Sequence, residues 1–154
     1  VTTGDDFPIV GIGASAGGIE ALEGLFRGLP DDPGVALVIV THLSPDRESL
    51  LHEVVRRYTD LPVHVAADGR MVESNNVYVM PSNTILTIEK RHLVVRKNTS
   101  RREPKPVDIF FSALAVDLGE LSAGIVLSGG DSDGTLGVKA IKEYGGLTLA
   151  QVAD

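Results

Sequence analysis

The chain has 154 residues, 43% of them hydrophobic, and a formal net charge of −7. That is enough apolar material for one globular domain with a real core, while the acidic balance argues against nucleic acid as the main partner, because phosphate binding needs a basic face. There is no cysteine, which excludes disulfides, thiolate zinc sites and a cysteine nucleophile; no apolar run is long enough to insert in a membrane, and no charged-then-apolar leader stands at the start.

The pattern alternates strand and helix. Phe7 to Ile12 is a short apolar run closed by Gly13 and predicts a buried strand. Gly17 to Leu29 carries Ile19, Leu22, Leu25, Phe26 and Leu29 at helical spacing, and Pro30 to Gly34 is a turn cluster. Val35 to Val40 is continuous, apolar and β-branched, as a strand buried on both faces should be. Ser49 to Tyr58 is helical by its spacing, and Leu61 to Ala66 predicts a third strand.

The middle of the chain changes character. Asn76 to Met80, Thr84 to Lys90 and His92 to Val95 are short β runs that predict a hairpin or small antiparallel addition. Lys97 to Pro106 is basic, polar and proline-containing, and predicts a loop. Val107 to Leu118 returns to helix, Ala123 to Ser128 to strand, and Gly134 to Tyr144 to helix, stopped by Gly145 and Gly146. Leu147 to Val152 is a final strand. The expected fold class is α/β: a doubly wound, mainly parallel sheet with helices on both faces and a small antiparallel hairpin.

In such sheets the site lies at the carboxyl ends of the strands. Past the first strand stands Gly13-Ala14-Ser15-Ala16-Gly17-Gly18, which matches G-x-S-x-G at a strand-to-helix turn. The turn would hold the Ser15 hydroxyl up at the sheet edge and aim the N–H groups of Ala16 and Gly17 at a developing oxyanion. His42 directly follows the second strand, and Gly129-Gly130-Asp131-Ser132-Asp133-Gly134 directly follows Ala123 to Ser128. Three strands thus end in a nucleophile, a base and an acid, with Asp131 and Asp133 competing for the last role; if the strands are neighbours, the side chains converge. The plain alternatives are a helix-capping serine, a structural histidine and an aspartate that caps the helix after it.

A dinucleotide site is the rival reading. Gly11 to Ala16 also fits G-x-G-x-x-A between strand and helix. That fingerprint expects an acid at the end of the second strand, where this chain has Thr41-His42; Asp31 and Asp32 lie before that strand, at the wrong end of the sheet. His42, His52, His64 and His92 show no H-E-x-x-H or H-x-H spacing, so no metal is expected.

Taken together, GIGASAGGIEAL at Gly11 to Leu22, VIVTHLSPD at Val38 to Asp46, YVMPSN at Tyr78 to Asn83, VDIFFSALA at Val107 to Ala115 and GIVLSGGDSDGTLG at Gly124 to Gly137 resemble the catalytic domain of the chemotaxis protein-glutamate methylesterases, the CheB family. The resemblance runs in order over nearly the whole chain. It implies an α/β domain with a mainly parallel sheet and a Ser-His-Asp triad in that chain order: Ser15 as nucleophile, His42 as base and Asp133, rather than Asp131, as the acid. It implies a backbone oxyanion hole at Ala16 and Gly130, where Gly130 stands in place of the usual methionine, Ala16 in place of a common threonine, and Asp131 adds a negative charge nearby.

The same resemblance implies hydrolysis of γ-glutamyl methyl esters on the signalling domain of methylated chemoreceptors, with methanol released and, in some members, glutamine deamidated. It implies a cytoplasmic protein that needs no cofactor and no metal and does not insert in a membrane. Arg101, Arg102 and Lys105 are candidates for attracting an acidic receptor surface. The chain begins at Val1 rather than Met, and the family domain continues beyond Asp154. Residues 1–154 are therefore expected to be one methylesterase domain cut from a longer protein, without the family's receiver domain; the parent protein is expected to carry a regulatory receiver or a methyltransferase domain. A receptor-binding module with little turnover is the alternative from another class.

Overall fold

The computed structural model describes residues 7–15, 18–41, 48, 50–99, 104–127 and 133–150. Strands β1 (Ile9–Ala14), β2 (Ala36–Thr41), β3 (Val63–Val65), β4 (Val77–Val79), β7 (Ser122–Leu127) and β8 (Leu147–Ala150) form one six-stranded sheet in the order β3-β4-β2-β1-β7-β8. Every pairing in it is parallel. β5 (Thr84–Glu89) and β6 (His92–Lys97) form a separate antiparallel hairpin.

The strand sequences explain the two-sided burial. Along β2, Ala36, Val38 and Val40 join one hydrophobic cluster, while Leu37 and Ile39 join the other. Alternate side chains of a strand point to opposite faces, so a run apolar at every position needs cover on both. Helices α1 (Ile19–Arg27) and α2 (Leu51–Arg56) cover one face with Leu22, Phe26, Leu51 and Val55. Helices α3 (Pro106–Leu118) and α4 (Thr135–Glu143), with the hairpin, cover the other through Phe110, Phe111, Leu114, Ile141, Leu86 and Leu93. A side chain of this size contributes about 1.5–3 kcal/mol when fully buried, so this double-sided core is the main source of stability. The doubly wound α/β fold expected from the sequence is the fold found.

Two expectations for the middle of the chain need correction. Val77–Val79 belongs to the main parallel sheet, between β3 and β2, and not to the antiparallel addition. Its three residues are all buried, Tyr78 toward α3 and the two valines toward the opposite face, which only a strand inside the sheet allows. The segment expected as a loop from Lys97 shortens at both ends: β6 runs through Lys97, and Pro106 opens α3. Proline suits that first helical position, where its missing N–H has no partner to lose.

The hairpin turn is held from outside. Lys90 and Arg91 both have positive φ, 50° and 63°, a conformation non-glycine residues resist. The Asp117 carboxylate, near the end of α3, accepts from both of their N–H groups at 2.7 and 2.9 Å.

Candidate active site

β1 lies at the centre of the sheet with β2 on one side and β7 on the other. Their ends are in register: Ala14 is opposite Thr41 on β2 and opposite Leu127 on β7. The residue after Ala14 is Ser15, the residue after Thr41 is His42, and the segment after Leu127 leads to Asp133. The condition set by the sequence is therefore met: the three strands are neighbours and end at one edge. The chain moves from β1 to β2 on one side and later to β7 on the other, so this edge is also the switch point where open α/β sheets form their crevice.

Ser15 is half-buried, and its carbonyl accepts from the N–H of Gly18 at 2.9 Å, closing the turn into α1. Gly18 has no room for a side chain, because a Cβ there would stand 2.7 Å from the backbone oxygen of Leu127. That close approach brings the start of α1 against the end of β7, so the turn carrying Ser15 is packed on the strand that leads to Asp133. Gly13 meets the other side of the site: a Cβ would stand 2.6 Å from Cγ1 of Val107 at the start of α3. Gly11 is likewise filled from α3, with Phe111 Cε1 at 2.8 Å. The strand glycines that fit a dinucleotide fingerprint are thus used to seat a helix on the sheet. Asp31 and Asp32 are exposed before the amino end of β2, as that rival reading could not accommodate.

Asp133 has unexpected partners at the start of α3. Its Oδ2 accepts from Val107 N–H at 3.0 Å and its Oδ1 from Asp108 N–H at 2.9 Å. The sequence suggested that an aspartate here would cap the helix after it; instead it caps α3, whose first turn lies 25 to 26 residues earlier. Two charge-assisted bonds and the positive end of a helix hold a negative charge at this point.

His42, Ala16, Gly17, Gly130 and Asp131 lie outside the described residues, as do Arg101 and Arg102 of the basic segment. Two buried acids were missed by sequence reasoning. Glu48 is 7% exposed and accepts from the Thr41 hydroxyl at 2.9 Å, beside the end of β2. Asp108, 8% exposed, accepts from Gly134 and Gly137 N–H through one oxygen, Oδ1. An acid inside an otherwise apolar helix, as at Asp108 in Val107-Asp108-Ile109-Phe110-Phe111, was the available signal. Of the remaining histidines, His64 pairs with Asn76 Oδ1 at 2.8 Å and stacks on Tyr78, and His92 bonds the Lys90 carbonyl. Among the described residues no group of three or more His, Asp or Glu is placed to hold a metal ion, and no helix is long and apolar enough to cross a membrane.

Comparison with known proteins decides the family: the model of the CheB methylesterase family matches residues 10–154. The chain belongs to the CheB methylesterase family. The crystal structure of the Thermotoga maritima CheB methylesterase catalytic domain superposes with a TM-score of 0.81 at 26% identity, over 93% of this chain and 78% of that one. A Burkholderia pseudomallei relative named protein-glutamate methylesterase/protein-glutamine glutaminase 2 is 36% identical over 148 residues, 94% of this chain and 43% of the relative. A Leptospira interrogans protein provisionally given the same double name is 31% identical over 151 residues, covering 95% of this chain and 77% of that protein. The chain thus spans less than half the length of the Burkholderia member of the CheB family, which leaves room in that relative for further domains.

Proposed function

We propose that the chain is the catalytic domain of a protein-glutamate methylesterase, a serine hydrolase acting on γ-glutamyl methyl esters of chemoreceptors in the cytoplasm. The observation that carries this reading is the shared edge of β2, β1 and β7, where Ser15 and the segments bearing His42 and Asp133 emerge from neighbouring strands in register. Ser15 is the nucleophile, His42 the general base and Asp133 the group that fixes the imidazole tautomer and stabilises the imidazolium. The N–H groups of Ala16 and Gly130 serve the oxyanion. The partner is a methylated chemoreceptor signalling domain, and the parent protein carries a further regulatory or methyltransferase domain.

In this mechanism Ser15 Oγ attacks the ester carbonyl carbon while its proton passes to His42. The tetrahedral intermediate collapses, the C–O bond to methoxide breaks, and His42 returns the proton so that methanol leaves. Water, deprotonated by His42, then attacks the acyl-enzyme; glutamate carboxylate departs and Ser15 is restored. Each step uses one proton carrier and needs no cofactor. The two N–H bonds to Asp133 support its part, because a carboxylate already held by backbone donors need not reorganise as the imidazolium forms.

The test uses receptor membranes carrying labelled methyl esters. The protein should release labelled methanol, and Ser15→Ala should lower the rate by on the order of 10⁴-fold or more. Equal release by the folded variant would refute Ser15 as nucleophile, and no release by either would refute the substrate.

A further inference from the structure

Asp108 is a buried acid that the mechanism above does not use. Resting on the reading of Asp133 as the triad acid, we propose that Asp108 is a positioning residue, which sets the Asp133 carboxylate through a reciprocal cap between α3 and α4.

A helix leaves its first N–H groups without partners inside the helix. In α3, Pro106 has none to satisfy, Val107 and Asp108 donate to Asp133, and Ile109 donates back to the Lys105 carbonyl at 3.1 Å. In α4, the N-cap is Gly134, which offers no side chain. Its N–H and that of Gly137 instead donate to Asp108 Oδ1, at 2.9 and 2.8 Å. Each acid therefore caps the helix of the other.

The exchange acts on Asp133 from two directions. Its side chain is fixed by the backbone of α3. Its backbone is fixed too, because Gly134, the next residue, donates its N–H to the Asp108 side chain. An acid in the first turn of a helix ordinarily serves its own helix end; Asp108 reaches across to α4 instead. The crossing demands close approach: a Cβ on Gly137 would stand 2.6 Å from Phe111 Cβ and 3.2 Å from Asp108 Cα. Gly134 has φ +110°, a backbone conformation that L side chains rarely adopt.

Asp108 is not itself a catalyst. It is buried, and it acts on the chemistry only by orienting Asp133. A triad acid must hold its imidazole partner to within about half an ångström and 10–20°. Four hydrogen bonds between two helices meet that demand better than a loop alone. Asp108 contributes two of the four, both through Oδ1; its Oδ2 is buried and has no hydrogen-bond partner among the described residues. An amide oxygen can therefore replace Oδ1, whereas a methyl group cannot.

The experiment measures kcat and KM for methanol release from labelled receptor membranes, referred to the folded fraction found by circular dichroism. Asp108→Ala should lower kcat by about 10²-fold or more with KM changed less than about threefold, while Asp108→Asn stays within about tenfold of the parent. Added to Asp133→Ala, Asp108→Ala should cause no further loss, since its effect passes through Asp133. If Asp108→Ala does not fold, Asp108→Glu replaces it, keeping the charge on a longer arm, with the same expectation for kcat. Parental kcat in the folded Ala or Glu variant, an Asn variant no better than Ala, or an equal further loss in the Asp133→Ala background would each overturn the proposal. Parental kcat in Asp133→Ala itself would remove the reading of Asp133, and the proposal with it, and so is told apart from failure of Asp108 alone.

Discussion

Replacing Gly13 with alanine would put a methyl carbon 2.6 Å from Cγ1, 3.0 Å from Cγ2 and 3.4 Å from Cβ of Val107. The first two distances cannot persist, so α3 must move from the sheet or Val107 must leave its rotamer, at about 1–3 kcal/mol. Val107 is 4% exposed, and truncating it alone to alanine removes two buried methyl groups, costing about 2–3 kcal/mol with the cavity included. The double variant Gly13→Ala/Val107→Ala removes both clashing carbons and leaves the remaining Cβ at 3.4 Å, close to ordinary contact. Its total loss should then fall short of the sum of the single losses by at least about 1 kcal/mol. Urea unfolding of the four proteins measures this. The same set has a catalytic reading: Gly13→Ala shifts the helix end that holds Asp133 and should lower kcat, and Val107→Ala in the same chain should restore much of it. Free energies that add to within about 0.5 kcal/mol would refute the packing argument.

Other consequences can be measured in the same way. Asp133→Ala removes the cap on two N–H groups of α3 and should destabilise the protein by about 2–4 kcal/mol in urea unfolding, at about 1.5–3 kcal/mol for each bond to a charged group less what water recovers. Unchanged stability would mean that Asp133 does not hold the helix. Asp117→Ala frees the Lys90 and Arg91 N–H groups and leaves two positive-φ residues unsupported; a loss of about 1–3 kcal/mol is expected. Restoring much of that loss by placing Asn-Gly at positions 90 and 91 would identify the turn as the cause, and no recovery would point elsewhere. Gly18→Ala drives a methyl carbon to 2.7 Å from a backbone oxygen that cannot turn aside, so methanol release should fall far more than in Gly24→Ala, where the new carbon meets nothing within 4 Å. Equal activity in the two variants would contradict the packed turn.

The sequence revealed those parts of the fold whose signal is local. Runs such as Val35 to Val40 are apolar at every position, which identifies a strand covered on both faces before its neighbours are known. Alternation with helices then implies a parallel sheet, and glycines around Ser15 imply a sharp turn. Val77–Val79 was harder, because three residues show that a strand exists but not whether its partners run parallel or antiparallel. The strand register that brings Ser15 and the two other segments to one edge was expected only conditionally, since register depends on contacts far apart in the chain.

The reciprocal cap was not legible at all. Val107 and Asp133 are 26 positions apart, and nothing in either neighbourhood names the other. Asp133 could be read as a triad acid or as a cap of the helix that follows it, Asp108 was not singled out, and capping preferences describe only the helix at hand. The glycines showed the opposite problem: Gly11 and Gly13 fit two motifs at once, and the choice between them rests on which atoms lie above the missing Cβ. Those atoms belong to Phe111 and Val107. Glu48 was passed over because an acid shortly after a strand reads as solvated until its burial and its bond to Thr41 are known.

An activated serine can be tested without a receptor. A fluorophosphonate reagent phosphonylates a hydroxyl only when a neighbouring base and oxyanion donors make it nucleophilic. After brief exposure of the protein, peptide mass spectrometry should find one adduct, on Ser15, formed at a rate that falls by about 10²-fold or more in His42→Ala and in Asp133→Ala. An adduct on another serine, or labelling of Ser15 at the same rate in all three proteins, would contradict the triad.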